Sequence, residues 1–430
     1  MYKRLLLIVL AWVFITATHS WAYTWDGFDL HGFFDQGYIA STQNNYYTDT
    51  KDGSFHMVDA ALNVRKQLND QLSFGAQAYT YRYGDMGSFN TPLLDWAYMD
   101  YQAQSWLGFK AGKIKSPLGL YGDSWDLEVT RPYVFLPTGT YAPYERELLY
   151  AILGGCVYGD IPLNRMGSLD YVVAFGTADV PTHSAFNWYI SQSSPYDVDH
   201  SNNSFVLDAQ LTWNTPVHGL KTEASMQYAR NVRIDGRFKT SGELSILPEP
   251  LSGMSSLGLV LGGSDVSIEA PDVFLWNLGA EYMWKEWTFA TEYQLERLLE
   301  YAWVDNPAAY NMPVFNGTTP LGTTTDAWYF AVSRRISDKL DLGAYYSLQF
   351  PNMHDRTGSL LASEGGSNYG AFTKDLALVA CYRIKPWWLL KAEAHLVNGT
   401  SEIINYSDNQ PISGEKRYWL MGVLQTSIFF

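Results

Sequence analysis

The densest mixture of acid and base lies between residues 113 and 147: Lys113, Lys115, Asp123, Asp126, Glu128, Arg131, Glu145, Arg146 and Glu147. Opposed carboxylates and cations held on a narrow neck set up a transverse field that sorts solutes by charge and orients their dipoles. On a freely hydrated loop the same residues would only stay solvated or pair with one another. A second set recurs at alternate positions along regular segments. Lys110, Glu281, Glu292, Glu296, Arg383 and Lys391 belong to it, together with Arg65, Lys221, Glu300 and Arg335. Charges with that period line one wet face, and the glutamates would favour cations there. Lys391-x-Glu393-x-His395 reads as part of the same polar wall.

Other chemistry finds little support. Gly-x-Ser-x-Gly, His-Glu-x-x-His and a phosphate loop are all absent from the sequence. The eight histidines are scattered, with no pair at zinc-ligand spacing. No metal or cofactor is expected, although Asp197, Asp199, Asn202 and Asn203 offer oxygens that a hard cation accepts. A serine–histidine pair on a barrel wall needs no motif, so a hydrolase stays open as an alternative. The formal net charge of −15 excludes nucleic acid as a partner. Cys156 and Cys381 fall in strand-like segments as small wall residues, and a bridge between them stays open.

The elements that must carry these residues are strands. Trp276, Leu278, Ala280, Tyr282 and Trp284 alternate with polar or small residues. So do Leu340 to Leu348, Leu220 to Tyr228 and Leu390 to Leu396. Such alternation gives each strand one apolar and one polar face. The segments have the length of a tilted membrane crossing, about 9–11 residues. Aromatics are 16% and charged residues 17%, yet no mature stretch is a transmembrane helix. Short turns near 69–70, 105–106, 162–167, 216–219, 285–286, 337–339 and 385–386 alternate with long loops near 42–53, 84–92, 116–149, 178–202, 235–271, 302–323, 351–371 and 399–415. This pattern predicts a transmembrane antiparallel β-barrel with short periplasmic turns and long extracellular loops. The expected count is sixteen strands. A further hairpin from Glu243–Leu247 and Leu257–Leu261 would make eighteen. Trp106, Trp213, Trp284, Trp287, Trp387 and Trp388 sit beside short turns, as an interfacial girdle would. Residues 1–22 read as a signal peptide, with Lys3 and Arg4, an apolar run and small residues before a cleavage site after Ala22. Residues 23–430 then form the single barrel.

Three stretches carry a family resemblance: Leu30-His31-Gly32-Phe33-Phe34-Asp35-Gln36-Gly37-Tyr38-Ile39, Leu94-Asp95-Trp96-Ala97-Tyr98, and Gly112-Lys113-Ile114-Lys115-Ser116-Pro117-Leu118-Gly119-Leu120-Tyr121 with Asp126 and Arg131-Pro132 after it. The last strand alternates from Tyr418 to a terminal Phe430, like the assembly signal of outer-membrane barrels. The chain resembles the porin superfamily that includes the phosphate-selective porins of Gram-negative bacteria. The resemblance implies an outer-membrane location, lipid and lipopolysaccharide as surroundings, and insertion by the barrel assembly machinery. It also implies a homotrimer, a third long loop folded into the lumen, and passive diffusion of small hydrophilic solutes or ions without catalysis. The dense basic ladder of phosphate-selective members is missing here, which puts phosphate selectivity in doubt. A closed barrel serving as a surface receptor or adhesin is the alternative.

Overall fold

Sixteen long strands close into one antiparallel barrel in a computed structural model that describes residues 23–247, 251–404 and 415–430. The expected signal segment lies outside the described residues. In chain order the wall strands are β1 (Phe28–Ser41), β2 (Ser54–Gln67), β3 (Leu72–Tyr83), β4 (Leu93–Gln104), β5 (Leu107–Lys115), β6 (Ala151–Pro162), β7 (Ser168–Ala178) and β8 (Phe205–Asn214). The second half comprises β9 (Leu220–Phe238), β10 (Asp265–Trp284), β11 (Trp287–Leu298), β12 (Thr324–Arg335), β13 (Leu340–Phe350), β14 (Thr373–Lys385), β15 (Trp388–Gly399) and β16 (Tyr418–Phe429). Each strand pairs with the next, and β16 pairs with β1 to close the ring. Phe430 completes the seam by exchanging backbone hydrogen bonds with Gly32 at 3.0 and 3.1 Å.

The alternation sorts the side chains. On β10, Leu278 is 51% exposed while its neighbour Asn277 is buried. On β15, Leu390 and Leu396 face out while Lys391, Glu393 and His395 are buried inside. Leu62, Leu94, Leu153, Phe175, Leu211, Phe330, Leu378, Leu420 and Leu424 extend the outward apolar surface around the ring. A continuous apolar belt on a closed barrel with a polar interior is a membrane-facing surface. The six tryptophans lie at the short-turn end, where Trp387 stacks on Trp388 and Trp213 donates to the Met166 carbonyl at 2.8 Å.

Strands β9 and β10 are the longest and rise past the rim. Their ends pair with the ribbons Tyr196–Asn202 and Tyr301–Val304. A small apolar core of Phe186, Tyr196, Ile234, Phe238, Leu261 and Val266 sits over that side. The expected loop 235–271 is accordingly shorter, 239–264. Its two apolar runs form short helices, Ser241–Leu244 and Ser255–Leu261, instead of a hairpin. The count is therefore sixteen, without the extra pair. Cys156 and Cys381 are both free and buried on the wall. Asp197 pairs with Lys239 and Asp199 with Arg237, so these aspartates serve ion pairs on the ribbon.

Candidate functional site: the loop inside the barrel

The segment 116–150 leaves β5 and folds into the lumen before returning to β6. Pro117 cannot continue a central strand, because it lacks the ladder donor. Gly119 then turns with φ +75°, and a Cβ there would meet the Tyr141 hydroxyl at 2.5 Å and Glu292 Oε1 at 2.8 Å. Short 3₁₀ turns at Gly122–Ser124, Glu128–Thr130 and Pro143–Glu145 follow. Buried side chains then tie the loop to three separate arcs of the wall.

The first arc is β3–β4. Arg146 places Nη2 2.9 and 3.0 Å from the two oxygens of Asp95. Its guanidinium lies 4.2 and 4.1 Å from the ring centres of Tyr79 and Tyr150. Asp126 accepts from Gln77 at 2.6 Å and from Tyr150 at 2.7 Å, with Lys115 at 3.5 Å. Burial pushes the Asp126 carboxyl up, but Lys115, Arg146 and these hydrogen bonds outweigh burial and hold it below the usual range. Burial would discharge Arg146, and Asp95, Tyr79, Tyr150 and Asp126 keep it charged. Tyr81 donates to Glu147.

The second arc is β8–β12. Glu292, 1% exposed, accepts from the Leu120 amide at 2.7 Å and from the Tyr141 and Tyr329 hydroxyls, each at 2.6 Å. Tyr121 reaches Glu281 at 3.3 Å, and Lys221 pairs with the same carboxylate at 3.1 Å. Ser116 donates to Asp208 at 2.6 Å, and the Gly119 amide donates to Ser225 at 2.9 Å.

The third arc is β15–β16. Lys391, wholly buried, donates to the Glu128 and Tyr133 carbonyls at 2.7 and 2.8 Å and lies 3.3 Å from Glu128 Oε2. Glu393 accepts from the Val134 and Phe135 amides at 2.6 and 3.2 Å. Thr138 donates to Glu402 at 2.6 Å. A loop held on opposite sides of a ring crosses its opening. Between the loop and the β2–β3 wall remains a cavity of ≈ 40 Å³ lined by Tyr79, Tyr83, Trp125, Arg131 and Arg146.

No family model matches the sequence, and neither does any curated protein. Solved structures do match. OmpF of Salmonella typhi, in complex with daunomycin, superposes with a TM-score of 0.55 at 13% identity, over 94% of this chain and 97% of that one. The outer membrane channel DcaP of Acinetobacter baumannii gives 0.52 at 13%, over 95% and 99%. OmpT of Vibrio cholerae, described as expressed in the outer membrane, gives 0.52 at 12%, over 95% and 100%. This is the porin fold.

Within the porin fold the sequence-predicted charges divide into two groups. Asp126, Glu128, Arg131 and Arg146 are buried and engaged; Arg131 donates to the Ser124 and Trp125 carbonyls, each at 2.8 Å, and so braces its own loop. Lys115 bonds the Asp123 carbonyl at 2.7 Å, and Lys113 pairs with exposed Asp179 at 3.1 Å. Lys110 lies over the rings of Tyr98 and Tyr158. Arg383 and Arg335 both reach Asp341 near a short turn. Glu145, Glu296 and Glu300 take part in no ion pair among the described residues and gather on the loop side of the lumen. Burial and the neighbouring Glu296 push the Glu145 carboxyl well up. Sequence reasoning missed Gln77, Asp95, Asp208 and Tyr329 on the wall, and Tyr141 on the loop, which together hold the loop in place. The only signal of the wall residues was inward parity, which every second residue of a strand shares. His395 lies 2.8 Å from Asp375 through Nδ1 and 3.3 Å from Glu393 through Nε2. Both ring nitrogens thus face carboxylates, and neither is left to activate a serine.

Proposed function

We propose that the chain is a channel of the Gram-negative outer membrane through which small hydrophilic solutes and ions diffuse passively, with the loop 116–150 as its constriction. The observation that supports this reading is the loop's three-sided anchorage inside a closed barrel, which holds it across the lumen. The double engagement of His395 leaves that histidine no free nitrogen to activate a wall serine. In this reading the short turns face the periplasm, the long loops meet lipopolysaccharide, and the assembly machinery reads the strand ending in Phe430. The barrel works as a trimer, as the sequence resemblance implies.

Glu145, Glu296 and Glu300 favour cations at the outer approach, while most loop charges are neutralised by partners. The salt-gradient reversal potential in a planar bilayer should therefore have the sign of cation preference. That preference should grow as pH rises past the ordinary carboxylate range, because Glu145 ionises later than a free glutamate. A second reading is favoured by one observation: most of the residues from 131 to 150 are buried, so the loop fills much of the lumen. A closed barrel of that kind would serve as a surface receptor or adhesin. Stepwise conductance from folded protein supports the channel; folded, inserted protein without conductance supports the receptor.

A further inference from the structure

We propose that a hard divalent cation, Ca²⁺ or Mg²⁺, binds between Asp35, Asp59 and Glu128 and clamps the inward loop to the closing seam of the barrel. Asp35 on β1 lies directly opposite Asp59 on β2 and, on its other side, opposite Ser427 on β16. The three residues form a row across the strands that join the two ends of the chain. Glu128 descends on this row from the loop. One oxygen from each of the three carboxylates lies within 4.8 Å of the others. All three residues are buried, and Asp35 and Asp59 are 2% and 1% exposed.

Tyr79 donates to Asp59 Oδ2 at 3.1 Å, but other oxygens of the group have no donor. Asp35 Oδ1 and Asp59 Oδ1 are buried without a hydrogen-bond partner. So is Oε1 of Gln425, a residue outside the acidic group and 2% exposed, whose amide nitrogen donates to Glu128 Oε1 at 3.2 Å. A buried acceptor without a partner is costly, and more so when charged. The two cations nearby, Lys391 and Arg131, donate no hydrogen bond to Asp35 Oδ1 or Asp59 Oδ1, although the buried Nε of Arg131 is itself left without a partner. Lys391 is directed at Glu128 and two carbonyls, and the terminal nitrogens of Arg131 are taken by Ser124 and Trp125. Three carboxylates, with no sulfur or imidazole among them, are donors suited to Ca²⁺ and Mg²⁺. The ≈ 40 Å³ cavity lined by Asp59 and Glu128 has room for a water to complete the shell.

The test reads binding and is independent of whether the barrel conducts. Mature protein refolded in zwitterionic micelles free of lipopolysaccharide is titrated with Tb³⁺, with emission excited through the aromatic residues. Trp125, Tyr79 and Tyr83 line the adjoining cavity and are placed to sensitise it. The expected result is saturable emission that excess Ca²⁺ displaces. It should be lost in Asp59→Asn and Glu128→Gln and kept in Asp199→Asn, which alters an exposed ion pair. Glu128→Gln changes only the loop, so it reports even if a wall variant fails to refold. Absence of saturable emission from folded protein, or its persistence in Glu128→Gln, overturns the proposal and leaves the carboxylates sharing protons instead.

Discussion

Replacing Arg146 with Met would leave Asp95 buried against Tyr79 and Tyr150 with no counter-charge. Breaking a buried pair from one side typically costs about 3–5 kcal/mol. In this barrel the cost should fall on loop docking, because the backbone ladder between wall strands does not involve Arg146. The expected outcome is a folded barrel with larger unitary conductance and a loop newly open to protease; unchanged conductance and protection would remove Arg146 as an anchor. Asp126 gives the same arc a pH dependence. Its folded-state carboxyl is held below the ordinary value, so its contribution is complete above the unfolded range and is lost as pH falls through the folded value. Acid should therefore release the loop from β3–β4, and Asp126→Asn should abolish that acid step in protease protection. The identities of these charges were legible in the sequence, and their partners were not. Asp95 lies on β4, 51 positions before Arg146 on the loop, and nothing in local spacing says that the two will meet. Lys391 and Glu393 read as ordinary wet wall for the same reason: their partners are loop backbone groups, which every residue possesses.

At the scale of the strand, the period-two pattern makes Leu278 a lipid-facing position, and its exposure on β10 agrees. Leu278→Arg should cost about 2–4 kcal/mol at mid-membrane, read from unfolding in lipid vesicles, whereas a neutral effect would place that face outside the lipid. Turns and loops were legible because their chemistry is local, as at Lys285, which has φ +54° in a two-residue turn. The loop between β9 and β10 misled for a physical reason. Leu257 and Leu261 look like a strand in an apolar run, but they are four apart and share one helical face toward the outer apolar core. Thr240 and Glu243 form a capping box that starts the other helix. The strands β9 and β10 also continue beyond the membrane, where a hydropathy pattern no longer marks a boundary.

At the scale of the whole molecule, the seam between β1 and β16 is the one contact that turns a sheet into a barrel. Deleting Phe430 removes its backbone pair with Gly32 and should lower the amount of heat-modifiable, folded protein in the outer membrane. Normal levels would show that closure does not depend on this residue. The loop anchors add a constraint of order. Lys391 and Glu128 are 263 positions apart, Glu393 and Val134 are 259, and Gln425 and Glu128 are 297. Contacts this distant in sequence form late, after the chain between them has been organised. The third arc cannot receive the loop until the final two strands have been laid down, so this anchor is set last. A newly closed barrel thus passes through a stage in which the loop is tethered to the early strands and not yet to the seam, so the opening takes its final width only when the last anchors engage.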